Sequence, residues 1–483
     1  MSDPIPSVAA ILMAEGDPDR ILLVRRNLVL RFMGGFHVFP GGRIEAQEST
    51  LNVDAADHAG HAAAIHAVAR EVFEETGILC TRGPRPPAEE LHDMRVKLLA
   101  EAITFDDVLL RSSLRIHAAD FRPAGRWVTP PFMPIRFDTQ YFLYSCETPA
   151  DVQIIEGEII DFGWYSPEEA RTLWQKGSIK LPHPVAFALR QLSLRDRPDL
   201  LDRLCETSVS KDSSIGRIET RRGIHVLPLE TSGLPPATHT NCVLVGEDDL
   251  FVIDPGPGPG SGRIGLLDQL DQLCRNGARI HAVLLTHGHP DHVGSAEWVK
   301  AHCGAPIWAH RNTRLSFAPD RYLEDGDVIP LAGDPGWRLR CLHTPGHDPG
   351  HLCFFEESTR TVIAGDLVSG HGSVVIAPDN GGEMTAYLAS LRRVQAIAAK
   401  LIIPAHGFPI GKPDEFILNT LDHRLTREAR IKAALDGGLE TEEALLAEAY
   451  KDVHESLWPL ARQSLRAHLA RLRANTVEQK SPD

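Results

Sequence analysis

No uninterrupted apolar run approaches the roughly 18 residues that a membrane-spanning helix needs anywhere in this 483-residue chain. The start, MSDPIPSVAAILMAEGDPDR, lacks a basic n-region and a small-residue cleavage site, so no secretory leader is expected. Paired cysteines are missing as well. The eight cysteines are scattered and form no C-x-x-C pair, which predicts reduced, mostly buried thiols and a cytoplasmic address. Positive charge is in deficit, 50 Lys plus Arg against 65 Asp plus Glu, for a formal net charge of -15. Such a surface disfavours nonspecific binding of nucleic acid or anionic membranes. There is no internal repeat and no long low-complexity tract. What remains is ordinary globular composition, 43% hydrophobic and 24% charged, over a length that calls for two or three domains.

Three segments follow one another. The first alternates strand-like stretches (SVAAILMA, RILLVRR, QYFLYSCE) with a helix, AAIHAVAREVFEETG, and closes with helical PVAFALRQLSL and DLLDRLCE. ETSVSKDSSIGRIETRRG, polar and rich in Ser and Gly, reads as a linker. Short apolar strands then recur (CVLVG, LFVIDPG, AVLLTHG, TVIAGD, LIIPAHG), each ending in Gly, Asp or His, as α/β folds present catalytic loops. From about Asp414 the pattern turns helical. The expected domains are 1–206, a linker at 207–222, 223–412, a tail at 413–475 and a disordered end at 476–483.

Chemistry concentrates first at FPGGRIEAQES…AREVFEETGI. Arg70, Glu71, Val72, Glu74, Glu75 and Gly77 fit R-E-U-x-E-E-x-G-U, where U is a bulky aliphatic residue. On a helix, Glu74 and Glu75 share a face with Glu71, and three carboxylates there repel by about a few tenths of a kcal/mol per pair unless a cation intervenes. Hard oxygen ligands suit Mg²⁺ or Mn²⁺ bridging to a diphosphate. Gly41 and Gly42 let the backbone approach closely, and Gly77 is placed to stop the helix. This segment resembles the Nudix box, G-x5-E-x7-R-E-U-x-E-E-x-G-U. Gly42-x5-Glu48 matches its first part, but 21 residues, not seven, separate Glu48 from Arg70. The insertion, TLNVDAADHAGHAA, is expected to be a loop. By this resemblance Glu71, Glu74 and Glu75 hold the metal, Glu71 is also a candidate base, and Arg70 orients the carboxylates. Upstream, LLVRRNLVLRFMGGFHVFPGG looks like the coenzyme A diphosphatase signature of that family. Leu22, Leu23, Arg26, Arg31, Gly35 and Phe39 to Gly42 match, while Val24 and Asn27 depart. Arg26 and Arg31 would then pair with ligand phosphates. Together with RFDTQYF, the inserted box resembles the peroxisomal coenzyme A diphosphatase branch, although no peroxisomal signal closes the sequence.

A second site is written in T-H-G-H-P-D-H at 286–292, which brings His287, His289, Asp291 and His292 onto one tight loop. His347 (TPGHDPGH), Asp366 (IAGD) and His406 (PAHG) follow at strand ends. Seven such groups can hold two cations, Zn²⁺ or the harder Mn²⁺ and Fe. They divide into His287, His289 and His347 for one, and Asp291, His292 and His406 for the other, with Asp366 between. In this order they look like the metallo-β-lactamase superfamily. The resemblance implies that Asp254, in LFVIDPG, supports the metal loop by hydrogen bonds and that Asp291 orients or deprotonates the nucleophilic water. His351 reads as a supporting or substrate-side residue and His343 as structural. THTNCVLVGEDDLFVIDPG, TPGHDPGHLCFF, GHGSVVIAPDNGGEMTAYLASLRRV and the tail from HRLTREARI resemble the lactamase-beta-like endoribonucleases, in which a small winged helix follows the hydrolase domain.

The expected architecture is therefore an α/β/α Nudix sandwich, an αββα two-metal hydrolase and a helical winged tail. The expected activity is a metal-dependent bifunctional hydrolase: Mg²⁺- or Mn²⁺-dependent cleavage of a nucleoside diphosphate linkage, coenzyme A or an acyl derivative favoured, and hydrolysis of a thioester, ester or phosphodiester at two Zn²⁺ (or Mn²⁺/Fe). The alternative is a single-stranded RNA endonuclease in the second domain, beside a Nudix domain that acts on other nucleotide diphosphates or only binds. A small nucleotide or coenzyme A-type substrate, possible RNA and no membrane are the expected partners, and the oligomeric state stays open.

Overall fold

Alternation along Ile5–Ala14 dictates the layering of the first unit. Val8, Ala10 and Leu12 point to one face of the sheet, where they pack with the helices Ala59–Thr76, Ala88–Leu99 and Phe105–Arg111. Ala9 and Ile11 point to the other, against Pro167–Gln175 and His183–Ser193. A strand buried on both faces requires cover on both, so the result is an α/β/α sandwich. In the computed structural model, which describes residues 3–30, 33–46, 48, 52–129, 135–146, 152–155, 157–194, 199–205, 216–231, 238–275, 277–333, 336–370 and 372–478, the chain divides into Met1–Val209 and Ser210–Asp483. Arg31, residue 206 of the expected first domain, residues 207–215 of the expected linker and residues 479–483 of the expected disordered end lie outside the described residues.

The sheet of the first unit runs His37–Val38, Asp17–Arg26, Ile5–Ala14, Phe137–Cys146, Arg122–Val128, with Gly41–Arg43 on Ile5–Ala14 and Ile159–Tyr165 on Asp17–Arg26. Ile5–Ala14 and Phe137–Cys146 pair in parallel over their whole length. The carboxylate helix Ala59–Thr76 starts with His58, whose imidazole accepts the His61 N–H, and stops at Gly77, which turns at φ 78 and returns its N–H to the Phe73 carbonyl. The insertion is not all loop. Val53–Asp54 pairs in parallel with Ile116–His117, and the helix starts inside the insertion because AGHAAA is rich in the best helix former and buries Ala62 and Ala64.

The second unit has two stacked sheets. One orders Ile218–Arg221, Ile224–Glu230, His239–Gly246, Asp249–Ile253, Arg279–Leu284, Ile307–His310 and Arg321–Leu323; the other Val328–Leu331, Trp337–His343, Leu352–Glu356, Thr361–Gly365 and Leu401–Pro404. Val243, Phe251, Ile253 and Leu284 of the first meet Leu339, Phe354, Ile363 and Ile403 of the second in the central core. Ser261–Arg275 and Ala296–Cys303 cover one outer face, and Met384–Ala396 with the tail helices Pro413–Asp436 and Trp458–Glu478 the other. This is an αββα sandwich. Ile218–Arg221 already belongs to its sheet, pairing with Ile224–Glu230 across a turn at Gly223 (φ 66). The tail is helical, with Glu442–Ala449 between its long helices, and Trp458–Glu478 runs through 476–478. No described helix is long and apolar enough to cross a membrane.

Candidate metal centres

All seven residues of the second motif stand just beyond strand ends. A loop with His287 and His289 follows Arg279–Leu284 and leads into the short helix Pro290–Val293, which carries Asp291 and His292 instead of the expected single loop; His347 follows Trp337–His343, Asp366 follows Thr361–Gly365, and His406 follows Leu401–Pro404. The folded chain brings them together. His287, His289, His347 and Asp366 form one group, and Asp291, His292 and His406 another, with ligand atoms in each within 4.8 Å of one another. The Nδ1 atom of His289 lies 2.9 Å from His287 Nε2 and 3.0 Å from His347 Nε2. Asp366 joins the groups: Oδ2 is 3.5 Å from His347 Nε2 and 3.7 Å from His292 Nε2, and Oδ1 is 3.4 Å from His406 Nε2. His406 Nε2 is also 3.3 Å from Asp291 Oδ2.

The outward-facing nitrogens of three of these rings are tied up. His347 Nδ1 donates to the Val375 carbonyl (2.8 Å), His406 Nδ1 to the His239 carbonyl (2.9 Å), and His292 Nδ1 to Asp254 Oδ2 (2.8 Å). Each bond fixes the tautomer that leaves Nε2 with a lone pair facing inward, the arrangement metal-ligating histidines need. Asp254, held at φ 51, also accepts the Thr286 N–H (2.8 Å) and hydroxyl (2.6 Å), so one carboxylate anchors both ends of the histidine loop. His351 is buried beneath Asp366: its Nε2 accepts the Asp366 N–H (3.1 Å) and its Nδ1 meets Thr344 Oγ1 (2.8 Å). Burial, then His347, pull His351 down to about 3, so it is neutral. His343 stacks on His310 with ring centroids 4.2 Å apart, and its Nε2 lies 2.9 Å from the Pro349 carbonyl oxygen.

The electrostatics favour added positive charge. Burial, reinforced by neighbouring imidazoles, lowers His287 well below the ordinary imidazole value and lowers His289 as well. Asp366 stays ionised although burial opposes it, because His292, His406 and His347 surround it. His292 is pushed up against its own burial by Asp254 and Asp366. Its Nε2 and Asp366 Oδ1 are buried with no hydrogen-bond partner, a costly arrangement unless a cation sits between them. The residues present fit two divalent cations.

In the first unit, Arg70 organises the carboxylates. Its guanidinium reaches Glu48 (2.7 and 3.1 Å), Glu74 (3.1 Å), Glu71 (3.1 Å) and the Arg43 carbonyl (3.1 Å). Glu48 is thus returned to the helix despite the lengthened box, and His66 Nδ1 clasps its other oxygen at 2.5 Å. Asp106 lies 3.4 Å from His66 Nε2 and accepts from Asn52 Nδ2 at 2.6 Å. Glu75 accepts the Gly41 N–H at 3.0 Å. Gly42 abuts Glu71, where a Cβ would fall 2.3 Å from Oε1, so only glycine leaves that carboxylate free. Burial first, and Glu74 next among the raising groups, lift Glu71 to about 7 against Arg70; burial and Glu71 raise Glu75. Carboxylates held this high lack compensating charge, which fits a divalent cation. Arg26 lies 3.7 Å from Glu158, lowers Glu75 and leaves its buried Nε without a partner.

Family models match in order along the chain: the NUDT19 Nudix domain at 52–192, the metallo-beta-lactamase superfamily at 235–406 and the beta-lactamase associated winged helix domain at 441–477. A "Beta-lactamase-like protein 2 homolog" of Drosophila melanogaster is 31% identical over 218 residues, 42% of this chain and 71% of that protein. The chain belongs to the metallo-beta-lactamase superfamily. It is a fusion, in which a NUDT19-type Nudix domain precedes the lactamase-fold hydrolase and a winged helix follows it. An "Atrochrysone carboxyl ACP thioesterase" of Aspergillus chevalieri is 32% identical over 41% of this chain and 60% of that protein. Across such curated relatives the chain spans 48% to 71% of their length. A metallo-beta-lactamase family protein of Thermus thermophilus covers 53% of this chain and 94% of its own at 23% identity, with a TM-score of 0.46.

Metallo-beta-lactamase and Nudix domains are hydrolases that use divalent metals, and both donor sets of this fusion are hydrolytic in kind. Sequence reasoning missed His66, Asp106 and Glu158. His66 lies within the helix, four residues before Arg70, where an i,i+4 reading of polar residues would have found it. Glu158, which raises both Glu71 and Glu75, carries no motif.

Proposed function

We propose that this fusion is a bifunctional coenzyme A-type hydrolase: the Nudix domain cleaves the diphosphate of coenzyme A or an acyl derivative, and the lactamase-fold domain hydrolyses a thioester. One observation carries the second half, the gathering of His287, His289, His292, His347 and His406 around Asp366, with the outward nitrogens of His292, His347 and His406 already bonded. Glu71, Glu74 and Glu75 would hold Mg²⁺ or Mn²⁺ in the first domain, and the seven histidines and aspartates two Zn²⁺, Mn²⁺ or Fe ions in the second. Bound cations supply polarisation of a phosphoryl or carbonyl oxygen and a lowered water pKa. Asp291, 3.3 Å from His406 Nε2, would orient the attacking water or take its proton. Glu71 would also serve as the general base of that site. Arg26 would pair with substrate phosphate.

The thioester reading draws support from the relative named as an acyl-carrier-protein thioesterase, since carrier protein and coenzyme A present the same phosphopantetheine thioester. Tethering two activities on one metabolite raises their effective concentration. The RNA reading rests on the winged helix. Against it, tail cations are engaged: Arg427 and Arg430 with Asp452, Arg462 and Arg466 with Glu442, and Arg471 with Glu428. Arginines paired internally offer little to a phosphate backbone. The test incubates purified protein with coenzyme A, acyl-coenzyme A, ADP-ribose and single-stranded RNA and reads products by mass spectrometry. Free coenzyme A plus acid, and adenosine 3′,5′-diphosphate plus phosphopantetheine, are expected; cleaved RNA beside intact thioester would refute the reading.

A further inference from the structure

Two helices of the winged tail reach the strap that orients a candidate metal ligand. Arg424, buried on Pro413–Asp436, donates through Nη2 to the Val374 carbonyl at 2.5 Å. Ser464, buried on Trp458–Glu478, accepts the Ile376 N–H at 3.4 Å. Between these anchors lies Val375, whose carbonyl accepts His347 Nδ1–H at 2.8 Å. The tail therefore grips the residue on each side of the one that sets the His347 tautomer.

Arg424 has a second hold. Its guanidinium lies over the Tyr387 ring, 5.4 Å from the centroid, and the Tyr387 hydroxyl donates to the Leu367 carbonyl at 3.0 Å, beside Asp366. The Tyr387 backbone in turn touches Gly346, beside His347, where a Cβ would fall 2.3 Å from Tyr387 Cα. One arginine thus braces both His347 and Asp366 through neighbours of each. Packing alone does not account for it. Arg424 Nε is buried without a partner, and an apolar side chain would cover the same surface without that desolvation cost.

We propose that the winged-helix tail is a working part of the histidine–aspartate centre, with Arg424 and Ser464 as positioning residues that hold His347 and Asp366 through the 374–376 strap and Tyr387. The proposal rests on the reading that this centre binds two divalent cations. Partners that orient metal ligands typically contribute about 10- to 100-fold in metal affinity. The loss should fall more heavily on the group that contains His347 than on Asp291, His292 and His406, which share only Asp366 with it.

The full-length chain, stripped of metal, is titrated with cobalt(II), whose visible absorption reports ligand geometry. With excess Mg²⁺ present to occupy the glutamates of the first unit, wild type should take up about two equivalents. Arg424→Met, Ser464→Ala and Tyr387→Phe should each weaken one equivalent by about 10- to 100-fold and alter its absorption, with a clearly smaller effect on the other; Arg424→Lys, which keeps a donor, should recover part of the loss. Equal weakening of both equivalents would show a merely structural role, and wild-type binding in all three variants would show none; either overturns the proposal. If Arg424→Met fails to fold, Ser464→Ala and Tyr387→Phe decide by the same criterion. A wild-type chain that binds no cobalt removes the metal reading itself and the proposal with it, an outcome distinct from two normal equivalents in the variants.

Discussion

Replacing Glu48 by glutamine keeps its shape and removes the charge that bridges Arg70 and His66. In the native protein the Glu48 carboxylate is almost fully buried, with a side-chain exposure of 1%, and takes two hydrogen bonds from Arg70 and one contact from His66. Losing a hydrogen bond to a charged group costs about 1.5–3 kcal/mol. Arg70 keeps Glu71 and Glu74 as partners, so the larger penalty of an unpaired buried charge should not apply. That range corresponds to roughly 3–12 °C in the thermal transition of the first unit, and to roughly a 10- to 150-fold fall in Nudix kcat/KM if the guanidinium swings onto the metal-facing carboxylates. The pH dependence has a definite sign. Burial would raise Glu48, but His66 and Arg70 outweigh it and hold the carboxyl below its ordinary 4.5. Its contribution is therefore complete above that value and lost as pH falls through the lower folded one, and Glu48→Gln should lack this acid-side loss. Differential scanning calorimetry and diphosphatase assays across pH measure all three. Wild-type melting and wild-type turnover together would show that the inserted box no longer uses Glu48.

Arg26→Ala should lower coenzyme A turnover by roughly 10- to 150-fold through a lost charge-assisted contact and affect ADP-ribose turnover much less; equal losses would mean it serves the diphosphate in general. Dialysis should leave about two transition-metal ions per chain on the imidazole set while Mg²⁺ leaves the glutamates, as elemental analysis would show; a chain expressed with zinc that retains none contradicts the assignment. Asp254→Asn should weaken metal retention by about 10- to 100-fold with little backbone penalty, because asparagine tolerates the positive φ of 51 at this position; unchanged retention in a chelator competition would remove Asp254 from that role.

Local patterns made the elements legible. An alternating apolar strand such as Ile5–Ala14 and a helix closed by Gly77 announce themselves, because pleat and cap act over a few residues. The seven residues at strand ends were readable for the same reason: a strand followed by His or Asp predicts where the side chain emerges, and parallel neighbours bring such ends together. What stayed hidden depends on chain folding back across distance. Glu48 reaches Arg70 across an insertion whose length said nothing of its path, and His66 looked like one more polar residue on a helix until Asp106 and Glu48 arrived around it. The tail's grip on Val374 and Ile376 crosses 50 and 88 residues of sequence, and no spacing rule reaches that far.

The central claim is that two hydrolytic centres work independently on one chain. Glu74→Gln and His289→Ala, each purified at full length, are assayed side by side for diphosphate cleavage of coenzyme A and for hydrolysis of acyl-coenzyme A thioester. Glu74→Gln should abolish the first and spare the second, and His289→Ala should do the reverse. Loss of both activities from either single substitution, in protein that still melts as the wild type does, would contradict it.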